Sequence, residues 1–225
     1  MLEKLAKQTA VYGISTIAVR FLSYLLTPVF TRVFEPEAYG IVTDVYALIP
    51  FALVVLTMGL ESAYFRFAAK ADAAAAAAGG TEGEIAAQAR AGKRRLFATA
   101  WGVTLLAASL FFLLTAFGRE RVAEWMGEAY VAHPEYVLLV AAVVWFDVAA
   151  CLPFSRLREQ GRAMTFVGIK ALGVVVNVAL AIGFALAGLY GTPFGVGWVF
   201  VANLIASAVT FNVILLTTDR TVPRI

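Results

Sequence analysis

Histidine and cysteine are nearly missing from this chain: His133 and Cys151 are each the sole residue of their kind among 225. A lone cysteine forms no disulfide within the chain and leaves the redox compartment unreadable. Zinc sites take three or four clustered ligands, so no metal centre is expected. Charge is scarce as well. Only 15% of residues are charged against 61% hydrophobic, with a mean hydropathy of +0.82, where soluble domains run to roughly 25% charged and 45–50% apolar. So few charges do not clothe a water-facing surface of this size, which excludes a soluble enzyme. Disorder needs low hydrophobicity and a nucleic-acid module needs a basic face, so both are excluded, and no nucleic-acid partner is expected. The motifs of catalysis are missing too: there is no Gly-rich phosphate loop before a Lys-Ser/Thr pair, no serine elbow and no helical histidine pair. No spacing pairs Asp44, Glu61 or Asp147 for acid–base work. The chain is expected not to be an enzyme and to carry no cofactor.

What the chain does have is long apolar runs. A bilayer core of about 30 Å takes roughly 20 apolar residues per helix, and six stretches reach that length: 9–30, 40–67, 96–118, 136–155, 165–189 and 194–217. Barrel strands would alternate in polarity over about ten residues, and these do not. The sequence therefore predicts an all-α integral membrane protein, a single six-helix lobe over 1–225. The first stretch exceeds a signal-peptide core of about 7–15 residues and contains Arg20, so it reads as an uncleaved span.

The basic residues alternate from loop to loop. Lys4 and Lys7, then Arg66, Lys70, Arg90 and Lys93–Arg95, then Arg156, Arg158 and Arg162, and finally Arg220 and Arg224 fall on one side. Arg32, Arg119 and Arg121 fall on the other. Basic loops stay in the cytoplasm, so both termini are expected there. The 68–95 segment, around the alanine run 71–80, reads as a low-complexity cytoplasmic loop and tolerated spacer. Good helix formers over 84–95 allow the third span to extend from it as a stalk. The 119–135 segment reads as a solvated external loop.

An ionisable side chain at mid-bilayer costs about 2.5–3.5 kcal/mol on insertion scales and so faces a cavity or a partner. Arg20 lies mid-span within a stripe of Thr9, Gly13, Thr16, Arg20, Ser23 and Thr27, whose alternating spacings of four and three keep one helix face. Close helix packing accounts for small and hydroxyl residues, but not for the arginine. Arg20, with Thr16, Ser23 and Thr27, is thus a lumen candidate. Lys170 and Asn177 are candidates on the fifth span, where they share a face with Gly173 and Ala181. Asp147 and Lys170 lie at similar depths from the same side, so a pair between them is sterically open. Asp147, Asp44 and Glu61 are the candidates for pairing or ion coupling. Arg66 is expected to snorkel to the interface, and Asn203 and Ser207 share a face of the sixth span. A cationic lumen favours an anionic passenger, which points to a transporter or channel-like bundle.

Three motifs then resemble a known family. They are YLLTPVFTRVFEPEAYG at 24–40, GLESAYFRF at 59–67, and LPFSRLREQGR at 152–162, followed by Phe166 and Lys170. In this order they resemble the polysaccharide-repeat (Wzx-like) flippases of the multidrug/oligosaccharidyl-lipid/polysaccharide exporter superfamily. The resemblance implies one lobe of a two-lobe, alternating-access transporter in the bacterial inner membrane. It implies translocation of undecaprenyl-pyrophosphate-linked oligosaccharide units for O-antigen or capsule, with membrane lipid and the polysaccharide polymerase machinery as partners. Arg20 and Lys170 would then complement the pyrophosphate. Family members carry twelve to fourteen helices, so six spans are expected to be the N-terminal lobe alone, either a truncated half or a half that pairs with a second copy. The alternatives are a related multidrug or lipid II exporter, or a non-transporting scaffold for polysaccharide assembly.

Overall fold

The computed structural model describes residues 26–219. Helix accounts for 88% of them, and no strand occurs among the described residues. The helices are α1 (Thr27–Val33), α2 (Pro36–Thr57), α3 (Leu60–Ala78), α4 (Glu82–Phe117), α5 (Arg119–Met126), α6 (Glu128–Val131), α7 (Glu135–Glu159), α8 (Ala163–Leu186) and α9 (Gly197–Asp219). Five runs are long and apolar enough to cross a membrane: Pro36–Ala78, Glu82–Phe117, Glu135–Glu159, Ala163–Leu186 and Gly197–Thr218. The first expected span, 9–30, lies outside the described residues except for 26–30.

The central helix is α7. Apart from Asp147, its span is apolar all round rather than along one stripe, the mark of a helix enclosed by others, and it packs against α2, α3, α4, α8 and α9. Val143, Val144, Val148, Ala149 and Leu152 are fully buried there. Lipid tails are as apolar as leucine, so close packing and hydrogen bonds hold such helices together rather than escape from water. The outer faces accordingly leave large apolar side chains uncovered, such as Val54, Leu106 and Leu186.

Two prolines sit inside spans. Pro153 in α7 has no N–H to give the carbonyl of Ala149 one turn back. The Trp101 indole of α4 donates to that carbonyl instead, at 2.9 Å. The same aromatic-donor logic recurs twice. Trp145 donates to Ser109 Oγ at 3.1 Å, and the Tyr190 hydroxyl donates to the Ala181 carbonyl at 2.9 Å.

Two regions differ from the sequence reading. The stretch 40–67 is not one straight helix, because Met58 and Gly59 both take left-handed backbone conformations (φ 48° and 68°) and separate α2 from α3. A non-glycine residue at positive φ is uncommon, and Gly59 beside it carries no Cβ penalty. The second difference is the alanine stretch of the 68–95 segment, expected as a low-complexity loop, which is helical up to Ala78, while 84–95 extends the third span as a stalk as the helix formers there suggest. Alanine is the best helix former, and Thr81 with Glu84 forms a reciprocal capping box that starts α4. At about 1.5 Å per residue the 36 residues of α4 reach roughly 54 Å, well beyond a bilayer core. The projecting arm is tied down by Lys93, whose Nζ lies 2.8 Å from Asp72 of α3 and 2.7 Å from Glu159 of α7. The 119–135 segment, expected as a loop, holds the short helices α5 and α6.

Candidate functional site: a polar cavity at membrane depth

A cavity of about 710 Å³ opens between α1, α2, α7, α8 and α9. Thr27 and Phe30 line it from α1, and Tyr39, Thr43, Tyr46 and Pro50 from α2. These α2 positions recur at spacings of four, three and four, so they form one helix face. Asp147 enters from α7, Lys170, Gly173 and Asn177 from α8, and Asn203, Ser207 and Thr210 from α9. The candidates Thr27, Asp147, Lys170 and Asn177 are therefore brought to one cavity. Arg20, Thr16 and Ser23 lie outside the described residues.

Close backbone approach sets two of these walls. A Cβ at Gly173 would run into the Thr210 hydroxyl, so α8 and α9 meet there because the residue is glycine. Asp147 is the middle residue of α7, and Ser207 of α9 stands beside its carboxylate in the cavity wall. Tyr46 of α2 and Asn177 of α8 bring their polar side chains to the same cavity.

Lys170 is open to the cavity. Its Nζ sits 4.2 Å from the centroid of the Phe154 ring, a cation–π contact with α7. Among the described residues no carboxylate oxygen lies within 4.0 Å of it. Asp147 and Lys170 thus share the cavity and act on each other through space, without a direct ion pair. The ammonium is left with donor capacity facing the void.

The other two acidic candidates lie elsewhere. Glu61, at the start of α3, forms an ion pair with Arg158 of α7 and accepts from the Ser155 hydroxyl at 3.0 Å. The Cys151 thiol approaches the same carboxylate at 4.0 Å. This cluster clamps the base of α3 to α7 just beyond the break at Met58 and Gly59. Asp44 is exposed and does not line the cavity. Its charge is felt by the Tyr130 hydroxyl of α6, which burial first and Asp44 second push up to about 12. No group of three or more metal-ligating side chains occurs among the described residues.

Sequence reasoning passed over the α2 wall. Tyr39, Thr43, Tyr46 and Pro50 carry no charge, and only their helical spacing marked them. Phe154 as the seat for Lys170 had no signal in the sequence, because the contact joins two helices whose rotations the sequence does not set.

Apolar helices around a polar, cation-bearing cavity define a multi-pass membrane protein. More closely, the chain belongs to the polysaccharide biosynthesis protein family, whose model matches residues 5–223. The flippase-like resemblance carried by the motifs at 24–40, 59–67 and 152–162 holds at that level. No curated protein and no solved structure matches the chain significantly.

Proposed function

We propose that this protein is a transporter rather than an enzyme, and that it moves undecaprenyl-pyrophosphate-linked oligosaccharide units across the bacterial inner membrane for surface polysaccharide. The family supports a role in polysaccharide synthesis or export. The observation that carries the finer reading is the Lys170 ammonium, facing a membrane-depth cavity with no carboxylate of the described residues within 4.0 Å. A pyrophosphate offers charged acceptors for those N–H groups, and charge-assisted hydrogen bonds are the strong class. Thr27, Thr43, Asn177 and Asn203 offer the neutral donors and acceptors that sugar hydroxyls need. In this reading Arg20 adds a second cation, Asp147 holds Lys170 between passengers, and a second lobe or second copy closes the cavity's open side for alternating access. The basic loops face the cytoplasm.

The test is Lys170→Ala and Lys170→Arg in the host, scoring surface polysaccharide with membrane abundance measured separately. One charge-assisted contact is worth about 1.5–3 kcal/mol, roughly a 10- to 100-fold loss of headgroup affinity. The alanine variant should lose most surface glycan at normal abundance, and the arginine variant should keep much of it. Normal glycan from Lys170→Ala at normal abundance would sink the reading.

A further inference from the structure

A second concavity, of about 380 Å³, lies on the other side of α2 from the polar cavity, with Ile49 forming part of both walls. It runs between α2, α4 and α7 and is capped by α5, through Val122 and Met126. Its floor is Val137, Val140 and Val144 of α7, of which Val137 and Val144 are 5% and 1% exposed. Its rim is open, with Phe51 at 70% and Val55 at 54% exposure. Two tyrosines line it, but their hydroxyls are spent elsewhere: Tyr136 donates to the Phe194 carbonyl at 2.7 Å and Tyr130 to the Ile41 carbonyl at 3.4 Å. The walls offer almost nothing but hydrocarbon, so neither a sugar nor a phosphate finds partners there.

Depth identifies the occupant. Along α7 the floor runs from Tyr136 to Val144, close to the helix start at Glu135, which is about 12 Å at 1.5 Å per residue. On α4 the lining residues Phe111 and Thr115 lie in the last two turns before Phe117. One leaflet supplies about half of a hydrocarbon core roughly 30 Å thick. On α2 the wall runs from Val45 to Leu56, about 16 Å, so the groove is about one leaflet long, begins on the side of α5 and α6, and opens sideways into the hydrocarbon. Trp125 of α5, 82% exposed, stands at its mouth where interfacial tryptophans collect. We propose that this groove is a lipid site that holds one acyl chain of a membrane phospholipid from that leaflet, bracing α2 from behind. The site is independent of which passenger enters the polar cavity.

The test uses the full chain in phosphatidylcholine vesicles containing a fraction of lipid with a diazirine at mid-chain, photolysed and mapped by peptide mass spectrometry. The freely lipid-facing Leu110, 56% exposed, and the enclosed Val148, 0% exposed, are internal references. If a chain occupies the groove, Val140 of its floor and Ala52 of the facing α2 wall, both half-buried, label as strongly as Leu110. Val140→Phe from the floor and Ala52→Phe from the α2 wall each fill the groove. Val140→Phe should cut labelling at Ala52, and Ala52→Phe labelling at Val140, at least threefold while leaving Leu110 unchanged. Labelling at Val140 and Ala52 no higher than at Val148 in the unaltered chain overturns the proposal, whether the groove is empty or covered by a second copy. Labelling at these positions that both filled variants leave unchanged overturns it too.

Discussion

Trp101 substitutes for an N–H that Pro153 cannot supply, and a double-mutant cycle isolates that role. Trp101→Phe keeps an aromatic ring against Phe97, which it stacks at 5.7 Å, but removes the donor to Ala149. The carbonyl is then left unpaired where no water reaches it, at a cost of about 1–3 kcal/mol by soluble-protein measure. Hydrogen bonds between membrane helices average nearer 0.6 kcal/mol and reach about 1.7, so we expect a loss of about 1 kcal/mol beyond packing. Pro153→Ala restores a main-chain N–H one turn after Ala149. In that background Trp101→Phe should cost only its packing term. The coupling, read from reversible unfolding in mixed micelles across wild type, both single variants and the double, should be about 1 kcal/mol, with the indole worth more when proline is present. Equal costs of Trp101→Phe in both backgrounds would refute the reasoning, because the indole would then be acting through contact alone.

Three further expectations follow from described contacts. Gly173→Ala pushes a methyl group onto the Thr210 hydroxyl and should destabilise the bundle by about 1–3 kcal/mol; Thr210→Ala in the same chain should return at least half of that in thermal unfolding. Lys93→Met releases the arm from Asp72 and Glu159, and at about 1 kcal/mol for such pairs amide exchange over 66–92 should rise roughly fivefold, with the α7 amides unmoved. Glu61→Arg or Arg158→Glu alone should lower the melting temperature, and the exchanged pair should recover part of the loss, because the ion pair returns while the Ser155 hydrogen bond to Glu61 does not.

All-helical membrane character was legible because apolar runs of this length have no other satisfied form in lipid. Helix faces were partly legible. Spacing put Lys170, Gly173 and Asn177 together, and all three line the cavity. Which faces oppose one another was not legible, because that depends on rotations set by contacts such as Gly173 against Thr210, far apart in sequence. The break at Met58 and Gly59 left little trace: hydrophobicity runs straight through it, and the proline that might have announced a break, Pro50, sits inside α2 without ending it. In the 68–95 segment the helical stalk over 84–95 was legible and the helix through the alanines was not. A run of one residue type reads as low complexity, yet alanine is the best helix former, and Thr81-Glu82-Gly83-Glu84 spells a helix start.

The placing of Ser207 beside Asp147 has a consequence for biogenesis. The two residues are made sixty positions apart, which at about 5–20 residues per second leaves roughly three to twelve seconds of synthesis between them. During that interval the newly released α7 carries a carboxyl group at its midpoint with no hydroxyl yet made to receive it. Lys170, made earlier than Ser207, offers the first relief. Slowing the ribosome between codons 170 and 207 should therefore lengthen the time this helix spends beside the insertion machinery.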